Sequence, residues 1–122
     1  MKERAVLLRG VTIDCSNPAA LAEFYGHLTG LEVIHSSDDA AGLESDAGVS
    51  VWFQRVTEYK RPSWPSQDVP QQFHLDFGSE DLQEDERRAL SLGATKASEQ
   101  PGQDRWRVLL DPEGHPFCLT SN

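Results

Sequence analysis

A histidine and a carboxylate stand close together in the sequence, at His74 and Asp76, within the short apolar stretch 70–77. A second stretch of similar character, 111–119, lies near the C-terminus. The alternation in each stretch predicts a strand that packs one row of side chains on a core and presents the other row to a ligand. An imidazole and a carboxylate on such an open row can bind a metal ion or transfer a proton. We therefore predict His74 and Asp76 as the catalytic candidates of a binding site.

The tryptophans are candidate walls for that site, because aromatic rings bind planar ligands by stacking and area burial. Trp52 alternates with Phe53, so one of these two rings should face the open side of its strand. The ring of Trp106 likewise faces either the core or a ligand. Trp64 lies in a proline-rich segment, where a large ring is hard to place in a core. We expect it to cover a ligand or a neighbouring subunit.

Other titratable residues have weaker signals. His115 follows a turn glycine, and we expect it to be exposed to solvent. Arg105 and Arg107 flank Trp106, so one of them can meet a ligand carboxylate, although arginines are usually solvated. The sequence contains no Gly-rich phosphate loop, nucleophile elbow, CxxC pair or HExxH motif.

Composition narrows the class of partner. The 122 residues are 38% hydrophobic, which is enough for one domain with its own core. The formal net charge of -9 would repel nucleic acid and anionic membranes, and it favours small neutral or cationic ligands. Apolar runs are shorter than the about 7–15 residues of a signal peptide and the about 20 of a membrane span. We expect a cytoplasmic location, with Cys15 and Cys118 as reduced thiols.

The first half of the chain predicts a strand, a helix and three further strands. In the first strand Ile13 and Cys15 share one face, and Asp14 lies on the other. Asn17 and Pro18 are typical of an N-cap and a first helical position. The predicted elements cover residues 7–15, 18–29, 31–35, 42–45 and 49–55. We expect the last two strands to form a hairpin around residues 46–48.

The same order recurs after a connector, residues 57–70, that contains three prolines. Here Asp81 and Glu84 form a capping box for a helix that ends at Gly93. The predicted strands are 72–77, 94–97, 106–110 and 116–120. The chain thus has two tandem βαβββ modules, at about 6–56 and 71–120, within a single domain. We predict an α+β fold in which the modules form a curved mixed sheet (half-barrel), with helices outside and a concave face suited to a ligand.

The chain resembles the glyoxalase/bleomycin resistance/dioxygenase superfamily, which is also called the vicinal oxygen chelate superfamily. Within that superfamily it resembles the glyoxalase-like domain subgroup. The matching segments are 13–25, 28–33, 64–65, 70–76, 92–95 and 111–119, which together cover nearly the whole chain in the same order. The resemblance implies a small-molecule cavity on the concave face. It also implies a homodimer.

Metal-dependent members of that superfamily hold a divalent ion with side chains on the first, fifth and last strands. The resemblance carries these positions to Gly10, His74 and Cys118. Gly10 has no side chain and Cys118 is not a carboxylate, so the usual site is degenerate and we predict no metal cofactor. A divalent ion on a rearranged set of His74, Asp76 and Cys118 is the alternative. Along a strand, His74 and Asp76 are roughly 6.6–6.8 Å apart, so rotamers would have to bring them to one ion.

We therefore predict a small-molecule-binding protein whose ligand is aromatic or natural-product-like. The predicted ligand-binding residues are Trp52, Phe53, Trp64, Trp106, Asp14 and Cys118. Sequestration of a drug or natural product is one use of such a cavity, and metal-free chemistry with His74 as acid or base is another. A metal-dependent lyase, isomerase or dioxygenase of the same superfamily is the alternative. A third reading is an accessory domain whose pocket is vestigial.

Overall fold

The computed structural model describes residues 6–45 and 48–121, which fall into two compact units, Met1–Thr57 and Glu58–Asn122. Each unit has the element order βαβββ, with one helix and an open four-stranded mixed sheet. The predicted α+β class and its two tandem modules are confirmed. Two residues of the predicted hairpin turn, Asp46 and Ala47, lie outside the described residues.

The first unit consists of β1 (Gly10–Cys15), α1 (Pro18–Thr29), β2 (Val33–Ser36), β3 (Ala40–Leu43) and β4 (Ser50–Arg55). The strand order is β1-β4-β3-β2, with β1 and β4 parallel and the other pairs antiparallel. Helix α1 begins where predicted, because the Asn17 side chain accepts a hydrogen bond from the amide of Ala20 at 3.2 Å. It ends at Gly30, which is left-handed at φ 79°.

The two faces of this sheet differ as the alternation predicts. Ile13 and Cys15 are buried, and Asp14 lies on the opposite face, where it accepts a hydrogen bond from Gln54 Nε2 at 2.8 Å. Phe53 is buried with 0% of its surface exposed, and it stacks on Tyr25 of α1 with ring centroids 5.7 Å apart. The core of the unit therefore lies between the sheet and α1.

The second unit consists of β5 (Leu75–Ser79), α2 (Leu82–Ser91), β6 (Thr95–Lys96), β7 (Trp106–Leu110) and β8 (Pro116–Ser121). The strand order is β5-β8-β7-β6, with β5 and β8 parallel. Strand β5 begins at Leu75, three residues later than predicted, so His74 precedes the strand. Leu75 pairs with Phe117, and the residue before Phe117 is Pro116, whose nitrogen has no hydrogen to donate to a longer ladder.

Helix α2 lies on one face of this second sheet. The Asp81 side chain caps it by accepting from the amide of Glu84 at 3.1 Å, as predicted. Glu86 reaches across to the Arg107 guanidinium, with 3.4 Å between its Oε1 and Arg107 Nε. Arg107 of β7 is therefore engaged on the helix side of the sheet, away from the opposite face.

The predicted connector packs within the second unit. The Tyr59 hydroxyl donates to the carbonyl of Glu113 at 2.8 Å and lies 3.0 Å from His115 Nε2. The ring of Phe73 also covers His115, with centroids 4.9 Å apart. As a result His115 is completely buried, and the expectation that it is exposed to solvent is wrong. A turn residue became buried because a distant segment covers it.

Cys15 and Cys118 are not in a disulfide, in agreement with the prediction. Cys15 is buried in the first unit, and Cys118 is partly exposed on β8 of the second. Within residues 6–45 and 48–121, no helix has the length and hydropathy needed to cross a membrane.

Candidate functional site

The face of the second sheet opposite α2 carries a cavity of about 170 Å³. Strand alternation places the side chains of Val108 and Cys118 on this face, because they are cross-strand partners while Phe117 and Leu119 are buried beneath. The residues lining the cavity are Trp64, Gln71, His74, Pro101, Trp106, Val108, Pro116 and Cys118. All of them belong to one compact unit.

Three groups that can bind a metal or a proton meet at the edge of this cavity. Asp76 and Cys118 are direct neighbours in the parallel pairing of β5 with β8. His74 Nε2 lies 3.5 Å from Asp76 Oδ1, with 44% and 58% of the two side chains exposed. One donor atom from each of His74, Asp76 and Cys118 lies within 4.8 Å of the others. The catalytic pair predicted from the sequence is therefore adjacent in space, and a thiol stands beside it.

The Cys118 thiol is held in its neutral form. Burial, and after it the charge of Asp76 and a hydrogen bond to that carboxylate, raises the pKa of Cys118 to about 11. The thiol is therefore protonated near neutral pH, and without a metal it is a poor nucleophile, because reactivity depends on the thiolate.

Two of the three predicted tryptophans line the cavity. Trp106 lies directly against Gly102, where an added Cβ would overlap the indole ring. The guanidinium carbon of Arg105 lies 5.1 Å from the centre of the same ring, in a cation–π contact. Trp64 reaches the cavity from the connector, half-buried. Position 102 must therefore be glycine for the Trp106 ring to lie where it does.

The remaining predicted ligand-binding residues belong to the first unit. Phe53 fills the core of that unit, so of the pair Trp52 and Phe53 it is Trp52 that lies on the open face. Trp52 packs over Gly42 and lies 5.9 Å from the His35 ring. Asp14 lies on the same open face, bonded to Gln54.

The first unit also has two larger hollows near the C-terminal end of α1, of about 330 and 400 Å³. They are lined by Glu23, Gly26, His27, Gly30, Leu31, Glu32, Val33, Glu44 and Ser45. These walls contain no tryptophan, tyrosine or phenylalanine. We therefore consider the smaller cavity, which combines two indoles with convergent polar groups, the better candidate.

Sequence reasoning missed four residues of the cavity, Gln71, Pro101, Val108 and Pro116. Two of them carry a usable signal, because Val108 and Pro116 are each two positions from a predicted cavity residue on the same strand. Gln71 and Pro101 lie in loops, where no periodicity indicates the direction of a side chain.

In this chain, the residues at the three positions that usually bind the metal in the superfamily do not form that metal site. Gly10, at the start of β1, has no side chain and so contributes no side-chain donor atom. Its added Cβ would stand 3.0 Å from the carbonyl oxygen of Ser50, so a side chain at this position would also be crowded.

Comparison with known proteins agrees with this architecture. The family model of the glyoxalase-like domain matches residues 10–120. The chain is similar to a glyoxalase/bleomycin resistance protein/dioxygenase family enzyme from Burkholderia phytofirmans, with 22% identity, a TM-score of 0.68, and coverage of 92% of this chain and 95% of that one. It is also similar to a possible glyoxalase from Bacillus cereus, with 15% identity, a TM-score of 0.70, and coverage of 95% and 99%. Comparison with curated proteins gives no match. At these identities the solved structures establish the fold.

Proposed function

Because the chain belongs to the glyoxalase-like domain family of the vicinal oxygen chelate superfamily, we propose that it binds a small, neutral or cationic aromatic molecule in the cavity of its second unit. The observation that carries this proposal is the lining of that cavity, in which Trp64 and Trp106 accompany His74 and Cys118. Aromatic walls supply area, and a few polar groups fix orientation.

The volume of the cavity indicates the size of the bound group. An apolar cavity of about 150 Å³ is enough for benzene, and about 170 Å³ is present here. Pockets for drug-sized ligands measure about 300–1,000 Å³. The cavity of the second unit therefore suits one aromatic ring, and the rest of a larger natural product would extend beyond it.

The charges around the cavity favour a neutral or cationic ring. None of its lining residues is a lysine or arginine. Asp76 adds a carboxylate beside His74 and Cys118, while Arg105 and Arg107 are engaged by Trp106 and Glu86. A ligand amine could interact with Asp76, whereas a ligand carboxylate would find no lysine or arginine among the lining residues.

Tryptophan fluorescence tests the proposal directly. Metal-free protein in the presence of a chelator is titrated with benzylamine, benzyl alcohol and benzoate, which share a ring and differ in charge. We expect saturable quenching by the first two and none by benzoate. Trp106→Ala should abolish the binding and Trp106→Phe should retain part of it, since phenylalanine keeps an aromatic face. Saturable binding of benzoate alone, or binding unchanged in Trp106→Ala, would refute the proposal.

We also propose that the protein is cytoplasmic and that it acts as a homodimer, the latter as the resemblance implies. Strand β2 is an edge of the first sheet, and Val33 and Ile34 on it are 40% and 45% exposed. An apolar edge of this kind is suited to a second copy of the chain. Light scattering at micromolar concentration should give twice the chain mass of 13.6 kDa, and Ile34→Lys should reduce it to the monomer value.

A further inference from the structure

We propose that His74, Asp76 and Cys118 form a binding site for a divalent ion of the zinc type, held by the second unit alone. This goes beyond the proposed function and does not depend on it. It also differs from the usual metal positions of the superfamily, because Gly10 contributes nothing and Asp76 is added as a donor.

The first argument is the distance between donor atoms. Ligands of one tetrahedral zinc ion, at 2.0–2.3 Å from the metal, are separated by about 3.3–3.8 Å. His74 Nε2 and Asp76 Oδ1 already lie 3.5 Å apart. All three donors fit within 4.8 Å, so small side-chain rotations would bring Cys118 Sγ into the same coordination sphere.

The backbone explains how residues two apart can meet. A continuous strand would separate the His74 and Asp76 side chains by one full strand step. Strand β5 begins only at Leu75, so His74 lies outside the regular ladder and its imidazole turns back to the carboxylate. The parallel register then sets Cys118 beside Asp76. Two strands separated by 36 residues of chain therefore supply one cluster.

The second argument is the chemistry of the donors. Thiolate, imidazole and carboxylate together suit zinc and its cobalt and cadmium substitutes, whereas magnesium and calcium require oxygen ligands alone. On binding, the S–H bond of Cys118 is replaced by an S–metal bond and the proton leaves to solvent. The thiolate and the Asp76 carboxylate then neutralise the two positive charges, and His74 contributes a neutral nitrogen.

The third argument is access. His74 and Asp76 are exposed, and Cys118 is partly exposed and lines the cavity. Three protein donors leave a tetrahedral ion with one open position. That position would be available to water or to a donor atom on a ligand that enters the cavity.

The experiment uses protein purified without a histidine tag, freed of metal with a chelator and dialysed against zinc without any aromatic ligand. We expect one zinc per chain by mass spectrometry, and a thiolate-to-cobalt charge-transfer absorption when Co²⁺ replaces it. Cys118→Ser should remove that absorption. His74→Ala and Asp76→Asn should each weaken zinc binding by more than about 100-fold. Loss of a residue that only supports a ligand usually costs about 10–100-fold, so a larger effect indicates direct binding to the ion.

The chain supplies a matched control. His27 Nε2 lies 3.6 Å from Glu23 Oε1, an exposed histidine–carboxylate pair without a thiol, so His27→Ala should leave zinc binding unchanged. Near-ultraviolet circular dichroism confirms that the variants are folded, and Cys118→Ala provides a second thiol-free variant. No retained zinc in the wild type, cobalt binding without the sulfur absorption, or binding that survives Cys118→Ser would overturn the proposal. Ring binding is measured with a chelator present, so the two proposals fail separately.

Discussion

The reactivity of the Cys118 thiol in metal-free protein depends on its burial and on its position beside Asp76. A pKa of about 11, against the ordinary value of 9.0, leaves about one thiol in a thousand ionised at pH 8, instead of about one in ten. Alkylation requires the thiolate, but a thiolate of higher pKa is also more nucleophilic. Cys118 should therefore react with iodoacetamide about 10-fold more slowly than an ordinary exposed thiol at that pH.

The Asp76→Asn variant separates the causes of this shift. It removes the carboxylate charge and the acceptor of the thiol hydrogen bond, which are the second and third causes, and it leaves burial, which is the largest. The pKa should therefore fall part of the way towards 9.0, and the alkylation rate at pH 8 should rise by several-fold. Glu80→Gln, which changes an exposed carboxylate just after β5, is the control and should have no effect.

The assay is a pH series of alkylation rates, with the modified cysteine identified by peptide mass spectrometry. Cys15 is 0% exposed and should stay unmodified in the folded protein. The sign of the shift also predicts stability: the neutral thiol is favoured by the fold, so its contribution is complete below pH 9 and is lost as the pH rises through about 11. A wild-type rate that is half-maximal below pH 9, or an Asp76→Asn profile identical to it, would contradict this account.

Three further predictions concern stability, each measured by urea unfolding. Phe53→Ala should lower the free energy of unfolding by about 3–5 kcal/mol, because it empties a fully buried site against α1. Trp52→Ala, on the open face of the same strand, is the control and should lower it clearly less. Tyr59→Phe should lower the free energy of unfolding by about 1–3 kcal/mol, because the hydroxyl donates to the Glu113 carbonyl and contacts His115. An unchanged unfolding midpoint would mean that the connector does not stabilise the turn at Glu113. Asn17→Ala should cost about 0.5–2 kcal/mol through the lost cap of α1, and Asn17→Ser should restore most of it.

Local patterns predicted the elements well, because the interactions that define them are close in sequence. The caps at Asn17 and Asp81 each act over three residues, and both helices begin where these side chains indicate. The alternation of β1 likewise placed Asp14 opposite Ile13. Such signals depend only on the periodicity of strand and helix, and they survive without knowledge of the rest of the chain.

Burial by a distant segment could not be predicted in this way. Nothing near His115 indicates that Tyr59 and Phe73 will cover it, since the contact with Tyr59 joins residues 56 positions apart. The late start of β5 has a similar cause, because its ladder is limited by Pro116 on the partner strand. Both of these errors came from a pairing that periodicity does not encode.

The cluster of His74, Asp76 and Cys118 depends both on local strand periodicity and on the pairing of distant segments. Alternation alone put His74 and Asp76 on one face but also set them too far apart to share an ion. The parallel pairing of β5 with β8 resolves this, because it ends the ladder at Leu75, frees His74 to turn towards Asp76, and places Cys118 at the same level. The strand register therefore sets the proposed donor set, and by placing Asp76 beside Cys118 it adds to the rise in the thiol pKa that burial causes first. Asp76 is the residue on which the two experiments converge, since it contacts both other members of the cluster.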